Sequence, residues 1–468
     1  MDQLDRELMR SAAAYLKHAA AWAEREQASD PSPLGLRLSA HLGADALTLP
    51  VVTEVVAEER LVDADLALAE LQQAGDGELV GVSGNGYRRH ADTPELLRGE
   101  HGRFDVGPVD YEERPTGPDS SRRVVRLGVR LLRFQERPLV VVQRGADERF
   151  GREHASLDVI AEDPDLVSSF LARLRERMVA LSVLRGQLIS FTHSQFGAAA
   201  SAGFLRRPQV PADDIVLPDG ILAEVSARVL GIGRHRELLT GLGQHLKRGV
   251  LLYGPPGTGK TLVARHLVGM AEGATVVLLR GAALSLIDRA ADIARTFQPS
   301  IVVLEDVDLV AMERDYSPQP LLFELLDALD GLDGDADVAF LMTTNRVDVL
   351  ERALVERPGR VDLAVELPPP GRAERRRLLE LYSRGMGFSA EALDDAAART
   401  DHTTASFAKE LVRSSVLLAA DRGEPLADAH LAEALERLLS SAHALTRRML
   451  GEQVEDPDDQ VDEVGEAR

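Results

Sequence analysis

The chain has 468 residues, 44% apolar and 28% charged, with a formal net charge of −22. At ~150 residues per domain, that length implies about three domains. The acidity argues against broad binding to a phosphate backbone, and the absence of cysteine excludes disulfides and argues against structural zinc.

The opening MDQLDRELMRSAAAYLKHAAAWAERE lacks the uncharged core of a signal peptide and reads as an amphipathic or coil-forming helix. No run approaches ~18 uninterrupted apolar residues, so no transmembrane helix is expected and the chain reads as cytoplasmic. Residues 47–75, LTLPVVTEVVAEERLVDADLALAELQQAG, read as helical. Residues 123–145 offer two β-rich runs around Glu136, Arg137 and Pro138, the pattern of a hairpin. A helix starts at Asp163 to Asp165 and keeps helical spacing afterwards. Residues 1–205 therefore read as one mixed α/β domain, and the Pro- and Asp-rich residues 206–219 as a linker.

From about Gly220 the short apolar runs GVLLYG, TVVLL, IVVLE and VAFLMTT alternate with helical stretches. That alternation predicts βαβ units on a buried parallel sheet over residues 220–369. Residues 370–450 read as almost wholly helical. Residues 451–468 carry eight acids and one Arg and read as a disordered acidic tail.

Two motifs carry chemistry. The first is Gly254-Pro255-Pro256-Gly257-Thr258-Gly259-Lys260-Thr261, with a strand running in and a helix running out. The glycines let backbone N–H groups wrap phosphates, and the helix N-terminus adds partial positive charge. Lys260 is expected on the β- and γ-phosphates of ATP, and Thr261 on Mg²⁺. The second motif is IVVLEDVDLV, residues 301–310. In phosphate-loop ATPases the first acid at this strand end holds the Mg²⁺ shell and the second activates water. Those positions are Glu305 and Asp306, the reverse of the usual Asp-Glu order. Asp308, two places on, fixes the alignment. The swap moves each carboxylate by one methylene, and a shift of ~1 Å costs about 10²-fold in rate unless the backbone compensates. Both residues remain carboxylates, which favours a working ATPase over a site that only binds.

With these motifs in place, residues 220–450 resemble an ATPase of the AAA family in the narrow sense. FLMTTNR resembles its sensor strand, with Asn345 orienting water against the γ-phosphate. LERALVERPGRVDLAVELPPP resembles its second homology region, which implies that Arg357 and Arg360 reach the neighbouring subunit's ATP, Arg357 as the arginine finger. LLDALDGL resembles the segment that relays nucleotide state between subunits. The Glu-Asp order resembles the group containing the mitochondrial Rieske-protein translocase. The implied fold is an α/β P-loop core with a parallel sheet, a C-terminal α-helical lid and a separate mixed α/β N-terminal domain. The implied assembly is a homo-oligomeric ring, usually of six subunits.

Two departures stand out. The interval RGAALSLIDRAADIARTFQPS has no aromatic before Phe297, where polypeptide-threading members carry an aromatic loop. Tyr316 reads as a packing residue. Where a second sensor arginine is expected, Ala405 and Ser406 occur, and Lys409 reads as a helix-surface lysine. The expectation is an oligomeric Mg²⁺-ATP hydrolase that remodels or assembles a protein partner chosen by residues 1–205. The alternatives are an ATP-gated scaffold with little turnover and, disfavoured by charge, a DNA-remodelling ATPase.

Overall fold

The computed structural model describes residues 31–84, 86–98, 103–147, 152, 154–192, 201–308, 335–346 and 361–440. These fall into two compact units, Met1–Arg185 with Thr192–Phe204, and Gly186–Phe191 with Leu205–Arg468. The expected N-terminal helix, Tyr316, the relay segment 325–332, Arg357, Arg360 and the acidic tail lie outside the described residues.

The first unit opens with α1 (Pro33–Leu42), started by the Ser32 side chain and ended by Gly43 at φ +72°. There follow β1 (Val51–Val56), α2 (Leu61–Ala74), β2 (Glu78–Ser83), α3 (Thr93–Arg98), β3 (Asp105–Gly107), β4 (Asp110–Gly117), β5 (Ser120–Phe134), β6 (Arg137–Arg144), β7 (Ala155–Ile160) and α4 (Pro164–Ala180). The strands form an antiparallel sheet in the order β1-β7-β6-β5-β2-β3, with β4 beside β5. Both faces are covered. Leu139 and Val141 of β6 join the core under α2 and α4, whereas Val140 and Val142 join the core under α1 and α3. The two-residue period of a strand thus explains why Leu139 to Val142 is apolar without interruption.

One expectation is corrected here, and the expected hairpin is found as β5 against β6. Residues 51–56 are not helical: their β-branched run pairs with β7 at six successive positions, and the helix begins only at Leu61. The hairpin turn is Gln135–Glu136, at φ +52° and +64°, and Arg137–Pro138 already belong to β6. Paired left-handed residues match the right-handed twist of the flanking strands. The helix after Asp163 is found as expected, with the Asp163 carboxylate accepting from Asp165 N.

The Asp158 carboxylate, on β7, is buried. It accepts from Thr53 Oγ1 at 2.7 Å, Thr93 Oγ1 at 2.5 Å and Arg144 Nη2 at 2.7 Å. Removing one partner of a buried pair strands the other, at about 3–5 kcal/mol. Asp158→Ala is therefore expected to destabilise this unit by roughly that amount. Urea unfolding checks it, and a loss under about 1 kcal/mol would show the network to be solvent-screened.

The second unit holds a parallel sheet. Its strands are β8 (Leu188–Thr192), β10 (Arg248–Tyr253), β11 (Thr275–Arg280), β12 (Ser300–Glu305), β13 (Val338–Thr344) and β14 (Leu363–Glu366); β9 (Ser201–Leu205) ends where the unit resumes after its break. The parallel order is β14-β10-β13-β12-β11-β8. β8 precedes the expected linker in sequence yet extends this sheet from β11. Helix α5 (Lys260–Met270) packs Val263, Ala264 and Leu267 onto Val250, Val276, Ile301 and Leu341. Helix α6 (Ile287–Thr296) lies against β11 and β12. Helices α7 (Arg372–Tyr382), α8 (Ala390–Arg399), α9 (Ala405–Arg422) and α10 (Asp428–Leu439) share a separate core. Among the described residues, no helix is long and apolar enough to cross a membrane.

Candidate functional site

The strand order places the ends of β10, β13 and β12 side by side, and each carries a motif. Ligands of open parallel sheets bind at such carboxyl ends. The loop after β10 depends on glycine at two points. Gly254 sits at φ +141°, and a Cβ there would lie 2.3 Å from Leu367 O. Gly257 sits at φ +83°, where a Cβ would meet Thr404 Oγ1 at 2.7 Å and Ser406 Oγ at 2.8 Å. The loop is therefore pressed against the start of α9, which any other residue would push away.

Lys260 opens α5 and is almost wholly buried. Its Nζ donates to Gly254 O and Pro255 O, both at 2.8 Å. Burial lowers the ammonium pKa to about 8, against the opposing pull of Asp306 and Asp308. Thr258 Oγ1 donates to Pro255 O at 3.0 Å and braces the loop.

At the end of β12 the chain turns sharply, because Asp306 adopts φ +54°. Asp306 N donates to Thr343 Oγ1 at 3.0 Å, and Asn345 Nδ2 donates to Asp306 Oδ1 at 3.4 Å. Asp308 braces the same corner: its Oδ1 accepts from Thr344 Oγ1 at 3.0 Å and Asn345 N at 3.1 Å. The third acid thus fixes the end of β13.

A cavity of about 480 Å³ gathers these groups. Pro256 to Thr261, Asp306 and Asn345 all line it. Gly254 and Pro255 do not line it but hold Lys260 through their carbonyls. Glu305 does not line it either. It is the last residue of β12, lies opposite Arg280 in the β11–β12 register, and faces a second cavity. Burial raises its carboxyl pKa, while Arg280 and Arg265 pull it down. Of the two reversed acids, the structure brings Asp306 alone to the phosphate loop.

The remaining wall was not read from the sequence. Asp214 to Leu217, assigned to a linker, line the cavity, as do Leu378 and Tyr382 of α7. The available signal was the apolar Ile215, Val216 and Leu217 inside an otherwise polar Pro-Asp stretch. Ala405, Ser406 and Lys409 of α9 also face in, so Lys409 is a cavity residue rather than a plain surface lysine.

Mg²⁺ fits this cavity through the hydroxyl of Thr261 beside the phosphate loop, whereas Glu305, the acid expected in its shell, lines the other cavity.

Part of this chain is similar to known proteins. The family model for ATPase family associated with various cellular activities (AAA) matches residues 250–369. An ATP-dependent zinc metalloprotease FtsH 2 of Sphaerobacter thermophilus is 34% identical over 251 residues, 50% of this chain and 38% of that protein. An ATP-dependent zinc metalloprotease FtsH 1 of Symbiobacterium thermophilum is 31% identical over 332 residues, 65% of this chain and 53% of that protein. The 26S proteasome regulatory subunit 8 of Dictyostelium discoideum is 36% identical over 173 residues, 33% of this chain and 42% of that protein. The chain thus spans about half or less of the length of each of these relatives. A phosphate loop, an acid-bearing strand and Asn345 thus meet in one cavity, and residues 250–369, which supply most of it, match the AAA family of ATPases.

Proposed function

We propose that this chain hydrolyses Mg²⁺-ATP as a homo-oligomer, as a ring of six subunits, and uses the turnover to remodel or assemble a protein partner in the cytoplasm. The observation that carries the reading is the convergence of Lys260, Thr261, Asp306 and Asn345 on one cavity. Lys260 and the loop amides hold the phosphates. Asn345 orients water, and Asp306 lies within its reach to take the proton. Mg²⁺, when bound, neutralises charge on the phosphate oxygens. Asp214 to Leu217, Leu378 and Tyr382 form the less polar part of the wall, suited to a base. Arg357 and Arg360 are assigned to a neighbour's ATP by their motif. The names of the relatives, an ATP-dependent metalloprotease and a proteasome regulatory subunit, support a protein as the partner. The first unit, including residues 31–185, is the candidate for choosing it.

Steady-state turnover against protein concentration tests this reading. Turnover per subunit should rise and then level off as subunits assemble. ATP binding without turnover at any concentration would replace it with the second reading, an ATP-gated scaffold. One observation favours that alternative: only one of the two acids reaches the phosphate cavity.

The acids can be separated by experiment. Asp306→Asn removes the proton acceptor in the cavity and should lower turnover by about 10²–10⁴-fold. Glu305→Gln leaves that acceptor in place and should lower it by less than about tenfold. The reverse ranking would return the role of cavity carboxylate to Glu305.

A further inference from the structure

The first unit carries a cluster of arginines that ATP chemistry does not use. Asp110 of β4, Leu127 of β5 and Arg144 of β6 stand in cross-strand register, and Arg89 and Arg126 line the same cleft. Arg152 joins them through a bridge with Asp147, each backbone N–H donating to the other's carbonyl. The cleft measures only about 10 Å³, room for roughly one oxygen atom.

Charge around the cleft is not balanced. Arg88 and Arg89 share Asp110, Arg126 holds Asp147, and Arg144 holds Asp158. Among the described residues, Arg152 bonds carbonyls alone: its Nε donates to Gly145 O at 2.9 Å and its Nη2 to Arg89 O at 2.7 Å. Five guanidiniums thus meet three carboxylates there. Arg144 Nε is buried with no acceptor. Burial and repulsion from Arg144 and Arg126 lower the Arg152 pKa, against the pull of Asp147 and Asp158.

A chain of net charge −22 does not gather positive charge by composition alone. Native structures satisfy nearly all buried polar groups, and guanidiniums left with spare charge at a cleft recognise oxyanions. Space and sign select the oxyanion. One oxygen fits, and Asp110 and Asp147 line the cleft, which opposes a dianion more than a monoanion. The acidic chain as a whole opposes a long polyphosphate, whereas a short segment is screened from charges beyond ~8 Å. A carboxylate on a short peptide segment meets each condition.

We propose that this cleft is a docking socket for an acidic side chain of a protein partner, its carboxylate held by Arg89 and Arg152. In naming the partner's chemistry, this rests on the reading of the first unit as the part that chooses a protein, but its test needs no turnover.

The test uses the full chain and a short rhodamine-labelled peptide of alternating Gly and Glu, followed by fluorescence anisotropy at low ionic strength. Saturable binding with a Kd below about 1 mM is expected, retained with ADP at saturation. The same peptide with Gln in place of Glu should bind at least about tenfold more weakly. Arg89→Ala with Arg152→Ala should weaken the Glu peptide by at least about tenfold and leave ADP affinity unchanged. Equal binding of the two peptides would overturn the proposal, as would binding indifferent to both arginines. Displacement by inorganic phosphate ahead of acetate at matched ionic strength would assign the socket to phosphate and overturn it. Tighter binding of an oligothymidylate, lost with the same arginines, would assign it to nucleic acid and overturn it too. Peptide binding without ATP turnover would remove the ATPase reading alone, and turnover without peptide binding would remove the socket alone. The two peptides are compared in the native chain, so that result does not depend on the variant folding.

Discussion

Lys260→Ala should abolish measurable ATP binding while the fold survives. The native ammonium bonds two loop carbonyls, Gly254 O and Pro255 O. Phosphates offer stronger, charged acceptors in the same place. Two charge-assisted hydrogen bonds at about 1.5–3 kcal/mol each correspond to a loss of roughly 10²–10⁴-fold in affinity. Titration calorimetry with ATP measures it, and a thermal melt shows whether the variant is folded.

The same lysine sets a pH signature. Its pKa is lowered to about 8 by burial. Phosphates stabilise the ammonium and raise that value in the complex. Below pH 8 both forms carry the proton, so affinity is flat in this respect. Above it, binding must take up a proton, and Kd should rise by up to about tenfold per pH unit. Lys260→Ala should flatten this slope. A slope that persists in the variant would assign the titration to another group and remove Lys260 from the phosphates.

The pattern of what could be read follows from how local each signal is. The phosphate loop is contiguous, and its glycines are required by backbone contacts that any sequence with this loop must make, so its eight residues were legible. Asp308 was also legible, as a register mark, although its physical task of bracing Thr344 and Asn345 appears only in three dimensions. The facing of the two acids was not. In a regular strand, neighbours point to opposite faces, and here the left-handed turn at Asp306 decides which acid meets Lys260. Nothing in the letters Glu-Asp encodes that turn. Asp214 to Leu217 were hidden because a cavity wall and a linker share the same Pro-Asp composition. β1 was hidden inside a longer helical pattern, although its run of Val and Thr was the usable sign. β8 was missed because a short strand can join a sheet whose other strands lie far along the chain.

Arg357→Ala should leave ATP binding near native and lower turnover by about 10³–10⁵-fold. The reason is that a finger meets charge that develops only in the transition state, so its loss appears in kcat and not in binding. The assignment rests on the motif RPGR following Asn345. It carries a sharper consequence, because a finger that serves a neighbour leaves each subunit's own cavity whole. A chain with Arg357→Ala keeps a competent phosphate loop, and one with Lys260→Ala keeps a competent finger. Each alone should be inactive. Mixed in equal amounts and allowed to reassemble at random, half the cavities are competent and half of those face an intact finger. Turnover should recover to about a quarter of the native rate per subunit. No recovery, with mixed oligomers shown to form, would mean that Arg357 acts within its own chain or not at all. Reduced ATP affinity with unchanged turnover per bound site would instead make it a ground-state binding residue, and the case for a site shared between subunits would pass to Arg360.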